Sequence, residues 1–136
     1  MVVEKKVKKK RSNKEEQLQV AVSAYIRANY PDVIFTAESS GVRMNIGQAM
    51  KLKAQRSEGK LPDLIILEPR GQYTGLVLEL KQEGAPLWLK NGTLSQDEHI
   101  QGQFKILKRL SSKSYYADFT IGYKETIETI NRYMAL

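Results

Sequence analysis

Apolar residues recur at helical spacing in four segments of the chain. Every third or fourth residue is apolar over about 14–29, 95–111 and 124–134, which predicts three amphipathic helices. A weaker pattern over 45–57 predicts a fourth. The three clear apolar stripes consist of Leu18, Ala21, Val22, Tyr25 and Ile26, then Ile100, Phe104, Leu107 and Leu110, and finally Ile127, Ile130 and Met134.

Short apolar runs between these helices predict four β-strands, at residues 32–37, 63–68, 75–81 and 115–123. The sequence Pro-Arg-Gly-Gln-Tyr-Thr separates the second strand from the third. It is rich in turn-forming residues and has hairpin length, so these two strands are expected to form a hairpin. The resulting order, α-β-α-β-β-α-β-α, predicts an α/β fold with a mixed β-sheet flanked by helices.

Charged residues lie at the ends of the two hairpin strands. Asp63 opens the first strand after Pro62, and Glu79 and Lys81 end the second. Because strand residues alternate between faces, Glu79 and Lys81 point to one face together, and Asp63 lies beside Glu79 if the hairpin is in register. An unpaired charge against a core costs on the order of several kcal/mol. The placement therefore needs a physical reason.

A divalent cation would explain why two carboxylates stand together. Neighbouring carboxylates repel unless a proton or a cation lies between them, and Mg²⁺ prefers a few carboxylate oxygens plus waters. Lys81 can then orient a water beside a phosphate or help to deprotonate it. The alternative is that Glu79 and Lys81 pair with surface groups on an edge strand. The Glu-x-Lys triplet alone favours this alternative, whereas its combination with Pro62-Asp63 in one hairpin favours a metal site.

Gln103 lies on the apolar stripe of the third predicted helix. It follows Ile100 by three residues and precedes Leu107 by four, so its amide falls on a face that should be buried. A buried amide needs a partner. The sequence therefore predicts a role in the site, and a hydrogen bond to the backbone is the alternative.

The first predicted helix begins with two adjacent acids. Glu15 is three residues before Leu18 and four before Gln19, on the inward side, whereas Glu16 aligns with Gln19 and Val20. We therefore select Glu15 as the candidate site residue. The alternative is that Glu15 only stabilises the positive end of the helix dipole.

Two residue types that often carry function occur once each. His99 is the sole histidine, so a histidine-based metal site or a Ser-His-Asp triad has little support, and His99 is expected at the helix surface. Trp88 is the sole tryptophan. We expect it to pack in the core, and stacking on a base is the alternative.

Composition and charge narrow the class of protein. The chain has 136 residues, one domain's worth, and no cysteine, which excludes disulfides and thiolate metal sites. Its apolar runs are too short to cross a membrane. Much of the net charge of +7 lies in the first 14 residues, with seven basic residues and one acid. We expect residues 1–13 to be a disordered tail that contacts nucleic acid, with a mere aid to solubility as the alternative, and residues 14–136 to be the domain.

Pro62-Asp63 followed by Glu79-Leu80-Lys81 resembles the PD-(D/E)xK nuclease signature, and the wider arrangement is similar to its VRR-NUC branch, the virus-type replication-repair nucleases. The resemblance runs from about residue 15 to 133 and implies a restriction-endonuclease-like fold. It implies that Asp63, Glu79 and the backbone carbonyl of Leu80 bind the metal and that Lys81 serves the attacking water. Gln103 matches the family's helix glutamine, and Glu15 its helix acid.

The resemblance also implies an activity. We expect an Mg²⁺-dependent, structure-selective DNA endonuclease, with Mn²⁺ able to substitute, and a Holliday-junction resolvase acting as a homodimer on branched DNA. A flap or single-strand nuclease and a catalytically inactive DNA-binding module are the alternatives. We expect a phage or bacterial origin and a cytoplasmic location, with a nuclear one left open by the basic tail. The expected phosphate contacts are Arg43, Lys51, Lys53, Arg56 and Lys60, with an ordinary charged helix face as the alternative.

Overall fold

The computed structural model describes residues 2–37 and 45–136, with side chains from residue 14 onward. Its element order is the one that the apolar pattern predicts. No helix of the described part is long and apolar enough to cross a membrane. In chain order the elements are α1 (Val2–Asn29), β1 (Phe35–Thr36), α2 (Ile46–Ala54), β2 (Leu64–Ile66), β3 (Gly75–Lys81), α3 (Glu98–Ser111), β4 (Tyr115–Ile121) and α4 (Gly122–Met134).

The described strands form one mixed sheet in the order β1-β2-β3-β4. Strand β2 runs antiparallel to both of its neighbours, β1 and β3, and β2 and β3 form the predicted hairpin. Strand β4 runs parallel to β3, and α3 supplies the crossover between them. The sequence therefore predicted the mixed α/β architecture correctly.

Strand β3 is central and contributes to a core on each of its faces. Leu76, Leu78 and Leu80 belong to the core formed with α1 and α4. Val77 belongs to the second core, which α3 covers. Since Glu79 alternates with the leucines, it shares the face of Val77, as predicted.

Helix α1 begins at Val2 instead of near residue 14. The basic segment therefore has helical backbone where the sequence analysis predicts a disordered tail. Two properties of the sequence account for the continuation: residues 2–29 contain neither glycine nor proline, and lysine and arginine are good helix formers. The helix ends at Asn29, directly before Tyr30 and Pro31.

Helix α2 is held by its own cap and has no buried residue. The side chain of Asn45 accepts a hydrogen bond from the backbone N–H of Gln48, and the Gln48 side chain accepts one from the backbone N–H of Asn45. This reciprocal capping box satisfies two groups that a helix N-terminus otherwise leaves free. It allows a short helix to form on the surface without burying an apolar face.

Candidate active site

The register of the hairpin brings Asp63 and Glu79 together. Leu64 pairs with Leu78, so one step further along the ladder Asp63 lies opposite Glu79. Asp63 is 5% exposed and Glu79 is 2% exposed. Oδ2 of Asp63 accepts a hydrogen bond of 3.0 Å from the backbone N–H of Leu80. The predicted adjacency of the two acids is therefore present, and both are buried.

The environment of Glu79 disfavours its charged form. Burial raises the pKa of Glu79 to about 9, and the negative charge of Asp63 and a hydrogen bond to the Asp63 side chain act in the same direction. Lys81 opposes the shift, but by less. Without a cation, Glu79 therefore keeps a proton at neutral pH, which is how it avoids repulsion from the neighbouring Asp63.

Lys81 is positioned by a residue of the neighbouring helix. Its Nζ donates a hydrogen bond of 2.7 Å to Oε1 of Gln103 on α3 and lies 5.9 Å from the centre of the Phe119 ring. Gln103 is half-buried, on the inward side that its spacing predicts. Gln101 is used differently, since its Nε2 donates to the carbonyl of Ser95 at 2.7 Å. The partner of Gln103 is thus the candidate catalytic lysine and not the backbone.

A cleft of about 860 Å³ opens beside the end of β3, and residues of both α1 and α3 line it. The cleft is lined by most of the residues that the sequence singled out. Glu79 is not in the lining but interacts with Asp63, which is. Glu15 of the two adjacent acids is in the lining, whereas Glu16 is exposed. The lining includes Glu15, Gln19, Lys60, Asp63, Leu80, Lys81, Leu87, Asp97, His99, Ile100 and Gln103.

Gln19 is a candidate site residue that the sequence analysis did not select. It is 4% exposed, lines the cleft, and its Oε1 has no hydrogen-bond partner in the described part of the chain. The spacing that identified Gln103 also applies to Gln19. It precedes Val22 by three residues and Ile26 by seven, so it lies on the buried stripe of its helix. A buried amide oxygen without a partner is rare in proteins and indicates a missing donor.

Other predicted residues lie away from the cleft or outside the described residues. Lys51 and Lys53 are exposed on α2 and are not part of the cleft lining, whereas Lys60 is. Arg43 lies outside the described residues. Trp88 is 55% exposed, so the expectation that it packs in the core is wrong. It belongs to a short hairpin in which it forms an antiparallel bridge with Leu94.

The donor set fits a partly hydrated Mg²⁺. The described residues contain no group of three or more His, Cys, Asp or Glu side chains that could enclose a metal. Mg²⁺ usually keeps several waters and binds through one or two carboxylates, which Asp63 and Glu79 supply at an open cleft. The unpartnered Oε1 of Gln19 could accept a hydrogen bond from such a water.

Comparison with known proteins identifies the fold. The chain is similar to a solved structure described as a VRR_NUC domain protein, with a TM-score of 0.64 and 23% sequence identity over 90% of this chain and 89% of that one. No protein-family model matches the chain, and no curated protein does. The fold is thus the VRR-NUC fold, the restriction-endonuclease-like α/β arrangement that the sequence motifs implied.

Proposed function

We propose that the protein is a metal-dependent nuclease that hydrolyses phosphodiester bonds of DNA. The observation that carries the proposal is the buried pair of Asp63 and Glu79 beside a cleft in which Gln103 holds Lys81. A binding module would gain nothing from burying two acids next to a polyanion. The fold shared with a VRR_NUC domain protein supports the same class of activity.

The side chains suit a hydrolysis that depends on Mg²⁺. Asp63 and Glu79, with the carbonyl of Leu80, would hold the cation, and Mn²⁺ would substitute for it. The cation, when bound, supplies a Lewis acid for the phosphate and lowers the pKa of a bound water. Binding requires Glu79 to give up the proton that it holds in the cation-free protein.

Lys81 would act on the attacking water and on the negative charge that develops on the phosphate. Its hydrogen bond to Gln103 fixes the ammonium group before substrate arrives, and such preorganisation is what makes an electrostatic contact effective in a transition state. Glu15 and Gln19 are the groups that α1 adds to the cleft. Gln19 would accept a hydrogen bond from a water of the site through its amide oxygen. Glu15 would bind a further water through its carboxylate.

The finer substrate assignment is a DNA of branched structure, with a four-way junction as the first choice. Symmetric cleavage of a junction needs two sites related by a two-fold axis, and hence a homodimer. Lys51, Lys53 and Lys60, together with the basic N-terminal segment, would bind phosphates on either side of the cut. A phage or bacterial origin and a role in DNA repair belong to the same proposal.

Cleavage of labelled DNA with and without Mg²⁺ tests the proposal. Wild type, Asp63→Asn and Glu79→Gln are incubated with a duplex, a flap and a four-way junction. We expect cation-dependent cleavage by the wild type and loss of cleavage in both variants. Asp32→Asn is the matched control, because Asp32 is exposed and lies outside the cleft lining.

Equal cleavage by wild type and Asp63→Asn would exclude the assigned site. Tight DNA binding without cleavage, with Mg²⁺ or Mn²⁺ present, would instead assign the protein to the class of inactive DNA-binding modules. Cleavage of the flap in preference to the junction would replace the resolvase assignment and leave the nuclease assignment intact.

A further inference from the structure

Residues 87–95 form a small β-hairpin at the edge of the cleft. Trp88 and Leu94 form an antiparallel bridge. The backbone N–H of Leu89 donates to the carbonyl of Thr93, and that of Ser95 to the carbonyl of Leu87, both at 2.8 Å. These hydrogen bonds hold the backbone on both sides of Trp88 in place.

The turn of this hairpin is also well defined. Oδ1 of Asn91 accepts hydrogen bonds from the backbone N–H of Thr93 at 3.1 Å and from its hydroxyl at 2.6 Å. Gly92 has a φ of +84°, a backbone conformation that residues other than glycine rarely adopt. The turn is therefore built to hold one shape, which is the property required of a hairpin that presents a side chain to a ligand.

The base of the hairpin is part of the cleft wall. Pro86, Leu87 and Ser95 line the cleft, and Leu87 is buried in the core that α3 covers. Trp88, the next residue, is 55% exposed, and Leu89 is 44% exposed. The hairpin thus anchors Leu87 in the protein and exposes Trp88, the next residue, which is not itself part of the cleft lining.

We propose that Trp88 stacks on an unpaired base of a nucleic acid whose phosphate lies in the cleft. The inference rests on the proposed nuclease activity and, among branched DNAs, favours a substrate with unpaired nucleotides at the cut, such as a flap, over a fully paired four-way junction or a continuous duplex. Every base has a flat face that can stack on an indole, and such stacking tolerates any sequence. In a continuous duplex these faces are occupied by neighbouring bases, so only an unpaired nucleotide can offer one.

Charge favours a nucleic acid over a second copy of the chain as the partner of Trp88. Lys90 is exposed next to the apolar pair on the same hairpin. A two-fold contact through this hairpin would place Lys90 of one copy close to Lys90 of the other, because such contacts use the same surface twice. A polyanion, in contrast, would be attracted to the positive charge of Lys90.

Tryptophan fluorescence gives a direct test, because Trp88 is the sole tryptophan of the chain. The wild type is titrated with an oligo-thymidine single strand and with a blunt duplex, in EDTA so that no hydrolysis occurs. We expect the single strand to quench the fluorescence by more than the duplex does. Stacking of an indole on thymine produces this quenching, whereas a phosphate contact elsewhere does not.

Affinity measured by anisotropy with labelled DNA provides the second readout. Trp88→Ala should weaken binding of the single strand about tenfold and that of the duplex less than about twofold. Trp88→Phe should recover most of the loss, since it keeps an aromatic face. Leu89→Ala is the matched control on the same hairpin and should change both affinities less than about twofold.

Binding of the single strand without quenching would overturn the inference. So would an equal loss of affinity for both DNAs in Trp88→Ala, or conversion of a dimer to a monomer in sedimentation, which would assign Trp88 to a contact between copies. Cleavage by a wild type that shows no quenching would reject the role of Trp88 alone. Quenching without cleavage under any divalent cation would reject the nuclease proposal and keep the stacking site.

Discussion

Helix α1 contributes to two groups of polar side chains, and the one near its C-terminal end is closed by hydrogen bonds within the protein. The hydroxyls of Tyr25 and of Tyr30, the residue after the helix, donate to Oδ1 of Asn131 on α4 at 3.1 and 2.7 Å. Nδ2 of Asn131 also donates to the Tyr25 hydroxyl at 2.9 Å. Burial raises the pKa of Tyr30, which keeps its hydroxyl protonated as a donor.

The group nearer the N-terminus is open. Glu15 and Gln19 line the cleft, and the buried Oε1 of Gln19 has no partner among the described residues. Across the cleft, Glu79 avoids its charge only by holding a proton next to Asp63. The Gln19 oxygen can therefore still accept a hydrogen bond, and Glu79 can still lose its proton to bind a cation.

The contrast separates two purposes of buried polar groups. A network that satisfies itself fixes how two helices pack, and its loss is expressed as instability. A network that is left incomplete destabilises the protein until a ligand completes it, and its loss is expressed in binding and catalysis. The two groups should therefore respond to substitution in opposite ways.

Glu79→Gln should give the largest effect of the open group. We expect cleavage to fall roughly 10³-fold, since a cation contributes several kcal/mol to the stability of a hydrolytic transition state. In EDTA, the free energy of unfolding should be unchanged or higher, because glutamine keeps a hydrogen bond without a titratable charge. Activity assays and chemical denaturation of the same preparations measure both. A variant that is inactive because it is unfolded would contradict the comparison.

The pH dependence of stability follows from the raised pKa of Glu79. Its ordinary value of 4.5 applies to the unfolded chain, and about 9 applies to the folded, cation-free protein. The folded state therefore retains a proton that the unfolded state loses, so stability is fully present below about pH 4.5 and falls as the pH rises toward 9. Denaturation in EDTA should show a slope approaching ~1.4 kcal/mol per pH unit within this window.

Glu79→Gln is also the control for this slope. The variant has no proton to lose at position 79, so its stability should change less between pH 5 and pH 9, an interval of about four units in which the slope applies. The same slope in wild type and variant would assign the pH dependence to other groups and remove Glu79 as its source.

Asn131→Ala should affect the closed group in the opposite way. Two tyrosine hydroxyls would lose their shared acceptor, and we expect the free energy of unfolding to fall by about 2 kcal/mol. Cleavage per folded molecule should stay within about twofold of wild type. Asn29→Ala is the matched control, because the Asn29 side chain is exposed and bonds only locally to the carbonyl of Tyr25; its cost should be below about 0.5 kcal/mol. A large loss of activity in folded Asn131→Ala would show that the two groups are coupled.

The apolar pattern was sufficient for the order of the elements, and it was weakest at their ends. The strand predicted over 32–37 is reduced to Phe35–Thr36, and α3 begins at Glu98 instead of near residue 95. Asp97 sets the latter boundary, because its side chain accepts a hydrogen bond of 3.3 Å from the backbone N–H of Ile100. The start of a helix depends on which side chain caps its N-terminus, and several residues of this segment are able to do so.

The candidate site was predictable where strand geometry alone determines it. Alternation and hairpin pairing are local properties, so the meeting of Asp63 with Glu79 could be inferred from the sequence. The contact between Lys81 and Gln103 depends on how α3 crosses the sheet, and the sequence indicated only that Gln103 lies on the inward face of its helix. The exposure of Trp88 depends on how its short hairpin sits on the rest of the protein, which the residues around it do not indicate.

The spacing of Gln19 places it on the buried stripe of α1, but the missing partner of its amide is visible only once its neighbours are placed. Gln19 also yields the smallest and sharpest prediction. Gln19→Leu should weaken Mn²⁺ binding in calorimetry without DNA about tenfold, as loss of an outer hydrogen-bond partner does at metal sites. Its stability in EDTA should equal or exceed that of wild type, since a buried oxygen without a donor is removed. Gln17→Leu, an exposed position of the same helix, should change neither quantity. Wild-type Mn²⁺ affinity in Gln19→Leu would show that the open oxygen of α1 takes no part in holding the cation and that the incompleteness of the site lies in the acid pair alone.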